Sequence, residues 1–212
     1  MLNLEKCQFF RDSVDFLGLQ VSAEGVAPLP GQVSAVLDFP RPSSIRELQG
    51  FLGAVNFYRQ FIPSAAEILL PLTVVLKGGG SGRESLTWSG EMKAAFTRIK
   101  AALARTACLV FPSAVAELSL ATDASAVAVG AVLQQREPGR EDWRPLVFFS
   151  KKLEKAKLNY STFDRELLAV YLAIKHFRHQ LEGHQFQVWT DHNTLTFVLK
   201  QISDNKTTRQ QR

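Results

Sequence analysis

The hydrophobic pattern of the first part of the chain predicts a short strand followed by helices. Residues 14–21 (VDFLGLQV) form an apolar run that predicts a strand, with a turn at Glu24-Gly25. Prolines 28 and 30 then precede a helical stretch over residues 31–39. A strand and a turn are therefore expected to lead into a helical segment.

A second helix is predicted to begin at Ser43 or Ser44. Glu47 stands three residues after Ser44, which completes a capping box at the start of a helix. Apolar residues follow at helical spacing as far as Val55, and Pro63 ends that pattern. The first portion thus resembles a strand-turn element joined to two or three helices.

The pattern changes after residues 77–82 (KGGGSG), a glycine run that predicts a flexible connection. A helix with one apolar face is predicted next, followed by three alternating strands, a long helix, a fourth strand and a last helix. Pro138-Gly139 marks a hairpin between the second and third strands. The order implies an α/β (α+β) fold with a mixed sheet and a right-handed parallel connection. These elements span residues 91–104, 117–123, 127–134, 143–149, 159–181, 185–190 and 193–200.

Composition narrows the class of protein. Hydrophobic residues make up 46% and charged residues 21% of the 212 residues, as in globular domains with a real core. No apolar run approaches the ~18 residues of a membrane span, and no signal peptide is recognised, so an intracellular protein (cytoplasm or nucleus) is expected. Two distant cysteines indicate free thiols. The net charge of +5 is compatible with a nucleic-acid partner.

Two aspartates stand at the ends of predicted strands. Asp123 and Asp191 each close an apolar run in a Thr-Asp pair. Asp123 shares its strand face with the small residues Ala121 and Ser119, which leave space beside the carboxylate. Either aspartate taken by itself could instead be an ordinary turn or cap residue.

Glu166 is predicted to project from the packed side of the long helix and to meet Asp123 and Asp191 at the strand ends. An unpaired buried carboxylate is costly, and three converging acids repel one another, so the cluster predicts Mg²⁺ or Mn²⁺. Two such ions can promote in-line attack on a phosphodiester. A cap or salt bridge near the helix start is the alternative for Glu166. The apolar face predicted for this helix consists of Phe163, Leu167, Val170, Tyr171, Ile174, Phe177 and Leu181.

Other candidate residues are less specific. Lys151 and Lys152, with Lys155 and Lys157, could contact phosphates or form a solvated charged loop. Three histidines do not form a zinc site, because no cysteine or acid accompanies them at suitable spacing; they are His176, His179 and His184.

A pair of glycines and a pair of aromatic residues lie in the second predicted helix. Gly50 and Gly53 suit either close packing or close approach to nucleic acid, and the sequence favours neither. Phe57 and Tyr58 are expected to pack within the helical region rather than to stack on bases.

The residues also resemble a known family. Residues 120–135 (LATDASAVAVGAVLQQ), 160–183 (YSTFDRELLAVYLAIKHFRHQLEG) and 188–195 (VWTDHNTL) are similar to the RNase H domain of gypsy-type LTR retrotransposon polyproteins, as is VFFSKKL at 147–153. Upstream, residues 14–26 and 43–63 resemble the end of the reverse-transcriptase palm and the thumb, together with NLEKCQFF at 3–10.

This resemblance implies a function and a set of sites. The family's domain cuts the RNA strand of an RNA–DNA hybrid, and Asp123, Glu166 and Asp191 match its first three catalytic acids, which bind two Mg²⁺ (or Mn²⁺) ions in a complete domain. Phe16-Leu17-Gly18 matches the primer grip that holds the DNA 3′ end, although an ordinary core strand is the alternative. Implied domains are the palm end and thumb (1–77), a tether with a connecting helix (78–116) and an RNase H-like domain (117–212).

Two departures limit the expected activity. The family's polymerase aspartates lie upstream of the matched segments, so no polymerase site is expected here. The fourth catalytic acid lies beyond the matched TDH segment, and the sequence ends at Arg212 before that point. We therefore expect a Pol polyprotein fragment with weak or absent nuclease activity. The alternative is a non-catalytic remnant that binds nucleic acid or serves a structural role.

Overall fold

Three short antiparallel strands begin the structure, a computed structural model that describes residues 9–76, 85–106 and 108–192. They are β1 (Ser13–Phe16), β2 (Leu19–Ser22) and β3 (Gly25–Pro28). The single strand predicted over residues 14–21 is wrong, because the chain reverses at Leu17 and Gly18. Their φ angles of 48° and 82° form a two-residue hairpin turn that glycine makes accessible. The predicted turn at Glu24-Gly25 is confirmed between β2 and β3.

Five helices follow the first sheet, and with it they form what we call the N-terminal region, residues 9–106. The start of the second of these helices confirms the predicted capping box, because Ser44 Oγ accepts a hydrogen bond from the Glu47 backbone N–H at 3.3 Å. The Glu47 carboxylate in turn accepts from the Ser43 N–H at 2.7 Å, so two serines share the box. The helices are α1 (Pro30–Leu37), α2 (Ile45–Phe57), α3 (Ala65–Ile68), α4 (Leu70–Val75) and α5 (Gly90–Ala104), with a 3-10 turn at Arg59–Phe61.

One apolar core holds the N-terminal region together. Phe51 of α2 is fully buried between Phe39 and Phe96, with ring centroids 5.6 and 4.7 Å away. Ile99 and Leu103 of α5 enter the same cluster, so the helix after the predicted tether packs with α2. None of the helices within the described ranges is long and apolar enough to cross a membrane.

A second, four-stranded sheet dominates what we call the C-terminal region, residues 108–192. Its spatial order is β6-β5-β4-β7, in which β7 runs parallel to β4 and the other neighbours are antiparallel. This confirms the predicted mixed sheet, and the positive φ of Gly139 (81°) agrees with the predicted hairpin. The strands are β4 (Glu117–Ala124), β5 (Ala128–Arg136), β6 (Arg144–Lys152) and β7 (Phe186–Trp189).

The long helix predicted over residues 159–181 is shorter and broken. It begins only at α6 (Thr162–His176), because Ser161 Oγ accepts from the Asp164 N–H at 3.1 Å and caps it. The chain then breaks at Phe177 before α7 (Arg178–Leu181). The helix predicted over residues 193–200 lies outside the described residues.

The packed face of α6 also differs from the prediction. Leu167, Tyr171 and Ile174 were assigned to it, yet they are 43%, 58% and 37% exposed. The buried face instead carries Ala169 and Ala173, whose small side chains let the helix approach the sheet closely. The prediction that Glu166 lies on the packed side is nevertheless confirmed, because its side chain is only 3% exposed.

The two regions pack directly on each other. The hydroxyl of buried Ser150 in β6 accepts a hydrogen bond from the Ala66 N–H of α3 at 3.0 Å. Arg59 donates to the carbonyl oxygen of the same serine. At the first sheet, Val26 and Leu109 exchange two backbone hydrogen bonds of 2.8 and 2.9 Å. The second sheet is therefore buttressed by the N-terminal region on the side of β6.

Candidate metal centre and nucleic-acid interface

Two of the candidate acids are brought together by the parallel pairing of β4 with β7. Ala121 and Trp189 face each other in the register of these strands. Asp123 and Asp191 each lie two residues further along, so both carboxylates stand at the same edge of the sheet. A hydrogen bond of 3.4 Å from Thr122 Oγ1 to the Trp189 carbonyl fixes this alignment.

Glu166 completes the cluster from α6. One carboxylate oxygen from each of Asp123, Glu166 and Asp191 lies within 4.8 Å of the others. The two aspartates are exposed, whereas Glu166 is buried and its Oε2 has no hydrogen-bond partner among the described atoms. The structure thus joins all three predicted acids into one group that is open on the side of the aspartates.

The electrostatics of Glu166 reflect its crowded position. Burial raises the pKa of the Glu166 carboxyl, and the charges of Asp191 and Asp123 raise it further. A hydrogen bond from the Ala124 backbone and the charge of His192 act in the opposite direction, lowering this pKa, but they do not cancel the rise. In the absence of a cation the cluster therefore disfavours the ionised form of Glu166.

A tight turn at Ser125 positions the strand end that carries Asp123. Ser125 Oγ accepts hydrogen bonds from the N–H groups of Val127 and Ala128 at 3.3 and 3.1 Å. Arg165 donates to the Ser125 carbonyl at 3.3 Å, which ties the start of α6 to this turn. The hydrogen bond from the Ala124 backbone to Glu166 acts at the same strand end and holds this carboxylate beside Asp123.

The donor set suits a hard divalent cation. All three side chains offer carboxylate oxygens, which Mg²⁺ and Mn²⁺ prefer. The ion pairs found among the described residues, such as Arg136 with Glu117, involve other acids. The cap considered for Glu166 is not observed, since Ser161 caps α6. The buried Glu166 oxygen without a donor, together with the two aspartate carboxylates, fits a site for a divalent cation.

The predicted primer-grip residues occupy an exposed turn. Phe16 and Leu17 are 59% and 75% exposed at the tip of the β1–β2 hairpin, so the alternative of a core strand is wrong. The Gly18 carbonyl accepts from the Tyr58 hydroxyl at 3.4 Å, and an added Cβ at Gly18 would lie 3.3 Å from the Phe57 ring. The hairpin tip therefore rests on the end of α2, with Phe57 itself 49% exposed.

The basic and glycine candidates are placed as follows. Lys151 is exposed at the end of β6 and Lys152 is partly buried beside it. Lys157 pairs with Glu154 at 3.5 Å, as the charged-loop alternative expects for that part of the cluster. No described atom lies within 4 Å of a Cβ placed on Gly50 or Gly53, so these glycines do not serve close packing with the described part of the chain.

Sequence reasoning assigned no role to three residues that the structure places at important positions. Arg165 anchors the turn at Ser125, His192 stands close enough to act on Glu166, and Arg59 crosses between the two regions. His192 follows Asp191 directly, so its proximity was accessible from the sequence. The contacts of Arg59 and Arg165 depend on residues 91 and 40 positions away, which no local pattern indicates.

Comparison with known proteins gives a consistent family. Residues 88–188 match the family described as "RNase H-like domain found in reverse transcriptase". The chain is 38% identical over 197 residues to the retrovirus-related Pol polyprotein from transposon 297 of Drosophila melanogaster. It is 36% identical over 197 residues to the transposon Tf2-3 polyprotein of Schizosaccharomyces pombe. These matches cover 93% and 92% of this chain, but only 18% and 14% of the polyproteins.

Solved structures share the fold. A foamy viral protease–reverse transcriptase in complex with double-stranded DNA aligns with a TM-score of 0.75 at 21% identity, over 95% of this chain and 34% of that one. The foamy viral enzyme in complex with an RNA/DNA hybrid aligns with a TM-score of 0.74 at 20% identity, over 98% of this chain and 28% of that one. The resemblance noted in the sequence motifs is confirmed, and so is the mixed fold class.

Proposed function

The chain belongs to the RNase H-like domains found in reverse transcriptase, within the Pol polyproteins of retrotransposons, and from this premise we propose that its acid cluster is a metal-dependent nuclease centre. Asp123, Glu166 and Asp191 would hold Mg²⁺ or Mn²⁺. The substrate would be the RNA strand of an RNA–DNA hybrid.

The geometry of the three acids carries this proposal. Three carboxylate oxygens lie within 4.8 Å of one another, and the buried Glu166 keeps one oxygen, Oε2, without a donor among the described atoms. This arrangement is unfavourable unless a cation joins the three acids. A purely structural cluster would be expected to include an arginine or lysine partner, whereas the ion pairs found among the described residues, such as Arg136 with Glu117, involve other acids.

The side chains divide the work at this centre. Glu166 lies on α6, which Arg165 ties to the Ser125 turn, so its carboxylate would be a ligand in a fixed position. Asp123 and Asp191 face solvent at the sheet edge, where a scissile phosphate can approach them. Divalent cations held there would activate a water and stabilise the leaving oxygen. The protein's own contribution is to fix the ligands and keep the outer side open.

A nucleic-acid partner is supported by two features outside the acid cluster. Exposed Phe16 and Leu17 present an apolar hairpin tip, and Lys151 lies one residue past Ser150, whose strand neighbours lead through Gly130 to Asp123. Two strand spacings separate Ser150 from Asp123, or roughly 10 Å. The solved foamy viral relatives with this fold were determined with double-stranded DNA and with an RNA/DNA hybrid.

We expect hydrolysis by this chain to be slow. The three carboxylates that converge among the described residues supply ligands for one cation but hold a second one weakly, and a two-metal mechanism needs both. The site should therefore bind a first Mg²⁺ more readily than it completes catalysis.

A cleavage assay tests the proposal. Residues 1–212 are incubated with a hybrid labelled on the RNA strand, in Mg²⁺ or Mn²⁺, beside the matched variant Asp123→Asn. We expect slow RNA cleavage in the unsubstituted chain and at least a tenfold lower rate in the variant. Equal rates in the two proteins would refute a role for Asp123. A rate equal to that of a complete RNase H would refute the limit set by three ligands.

A further inference from the structure

A cavity of about 440 Å³ lies where the two regions meet, apart from the acid cluster. One wall comes from the end of α2 and the following turn, between Asn56 and Gln60. The opposite wall is β6 from Val147 to Ser150, and His176 at the end of α6 stands beside it. None of the three clustered acids lines this space, and neither does any other aspartate or glutamate.

Arg59 brings a permanent positive charge to the cavity. It is partly buried, and its Nη2 donates to the carbonyl and hydroxyl oxygens of Ser150. Within the described residues it forms no ion pair with a carboxylate. Burial lowers the pKa of the Arg59 guanidinium, as expected for a cation withdrawn from water without a counter-charge. A guanidinium has five N–H donors, so groups remain beyond those directed at Ser150.

His176 places a second basic group on the same cavity. Its ring stacks on Phe149, with centroids 4.3 Å apart and an interplanar angle of 27°. Burial lowers the pKa of the His176 imidazole, and the charge of Arg59 lowers it further. Among the described lining residues, the cavity thus carries the Arg59 guanidinium and the His176 imidazole and no carboxylate.

The surface next to the cavity indicates the kind of anion. Phe57 forms part of the cavity wall and also contacts Gly18 at the exposed hairpin tip. Phe57 therefore lies between the cavity and the turn of Phe16 and Leu17. An extended, repeating anion that follows this surface would meet both features, whereas a small free anion would use only the cavity.

We propose that Arg59 and His176 form a phosphate subsite for the backbone of a bound nucleic-acid strand, between the hairpin tip and the C-terminal region. The inference rests on the nucleic-acid partner of the proposed function and adds to it a specific contact. Charge-assisted hydrogen bonds from a planar guanidinium suit phosphate oxygens. Because Arg59 also holds Ser150, strand binding and the packing of the two regions would share one side chain.

Resonances of these two side chains provide a direct test in the unsubstituted chain. The Nε–H of Arg59 and the ring of His176 are followed by nuclear magnetic resonance in metal-free buffer, which prevents cleavage. The probes are a short RNA–DNA hybrid and inorganic phosphate at the same phosphate concentration. We expect saturable shifts of both residues with the hybrid and little change with inorganic phosphate. Unchanged resonances with the hybrid would overturn the subsite, and equal shifts with both probes would make it a free-anion site instead.

A charge-removing variant with a matched control measures the energetic contribution. Arg59→Gln keeps an amide donor for Ser150 and removes the charge, while Arg98→Gln removes an exposed charge from α5, outside the cavity. We expect Arg59→Gln to weaken hybrid binding about tenfold and to reduce the salt slope by about 0.9, the value of one phosphate contact. The Arg98→Gln control should change the hybrid affinity and the salt slope by less than Arg59→Gln does. Equal effects of the two variants would overturn the inference, and the resonances of the unsubstituted chain decide the matter if Arg59→Gln fails to fold.

The test of the phosphate subsite and the test of the proposed nuclease function can fail independently of each other. A Mg²⁺ titration in the absence of nucleic acid tests the cluster of Asp123, Glu166 and Asp191, which includes neither Arg59 nor His176. Hybrid-dependent shifts of Arg59 without Mg²⁺ binding would overturn the nuclease centre and support the phosphate subsite. Mg²⁺ binding with unchanged Arg59 resonances would support the nuclease centre and overturn the phosphate subsite.

Discussion

The N-terminal and C-terminal regions bury different kinds of side chain. Among the described residues, 18 buried apolar residues form one cluster that is almost entirely N-terminal. The C-terminal region instead has two smaller clusters, of six and three buried residues. All the buried polar or charged residues of the described chain lie in the C-terminal region: Ser119, Thr122, Gln135, Ser150 and Glu166. We infer that the first region mainly supplies stability, and that the second gives up some stability for a polar site.

The largest expected effect is in the N-terminal core. Phe51→Ala removes a fully buried ring between Phe39 and Phe96 and should lower the free energy of unfolding by about 3–5 kcal/mol. Urea unfolding measures it, with Phe57→Ala as the matched control, since that ring is 49% exposed. If the two variants lost similar stability, burial of Phe51 in the N-terminal core would not account for the loss.

Ser150→Ala tests whether the regions depend on each other. The change leaves the Ala66 N–H without its acceptor in a buried place, which should cost about 1–3 kcal/mol in the free energy of unfolding. Ser34→Ala, on the exposed face of α1, is the control and should stay within about 0.5 kcal/mol. An unaffected Ser150→Ala protein would mean that the contact between the regions contributes little.

Glu166→Gln should stabilise the metal-free chain by about 1–2 kcal/mol, because it removes a buried charge that faces two aspartates and whose Oε2 has no donor among the described atoms. The sign follows from the raised pKa of Glu166: the folded state holds its proton more tightly than the unfolded state. Stability of the unsubstituted chain therefore falls as pH rises from the unfolded pKa through the folded pKa, and the cost is complete above it.

Thermal melts in a chelator at several pH values check this sign. The advantage of Glu166→Gln should grow as pH rises through the pKa of the folded state and be small in acid. Glu141→Gln, an exposed change in the same region, should show no such trend. A Glu166→Gln protein that is less stable than the parent near neutral pH would show that the carboxylate is stabilised by something other than a cation.

The smallest expected effects are those of the helix caps, which should be alike in both regions. Ser44→Ala and Ser161→Ala each remove a hydroxyl that accepts a backbone N–H at a helix start, at 3.3 and 3.1 Å. Each should cost about 1 kcal/mol in urea unfolding. Equal costs would mean that the two regions differ in their cores and not in their helix caps. A much larger cost for Ser161→Ala would mean that they differ in helix capping as well.

Local sequence chemistry predicted much of this structure, for identifiable reasons. The capping box at Ser44 and Glu47 acts within four residues, and the strands β4, β5 and β6 each lie where a run of strand-forming residues predicted one. The Leu17-Gly18 turn was missed, because apolar residues flank it on both sides and the run resembles one continuous strand.

The sequence predicted the three acids of the candidate site but not the residues that hold them in position. Asp123, Glu166 and Asp191 were found from strand ends and helix spacing, and the structure places them together. The face of α6 was misassigned, because large apolar residues outweighed Ala169 and Ala173 in a pattern that ignores how closely a helix must approach a sheet. Arg59 and Arg165 act across long sequence separations, which only the folded chain reveals.

The central claim is that the acid cluster binds a divalent cation, and isothermal titration with Mg²⁺ tests it most directly. The unsubstituted chain is compared with Asp123→Asn and Glu166→Gln, both of which preserve side-chain size. We expect saturable Mg²⁺ binding in the unsubstituted chain and its loss, or at least a tenfold weakening, in both variants. Equal and negligible heats in all three proteins would contradict the claim and leave a non-catalytic remnant as the better account.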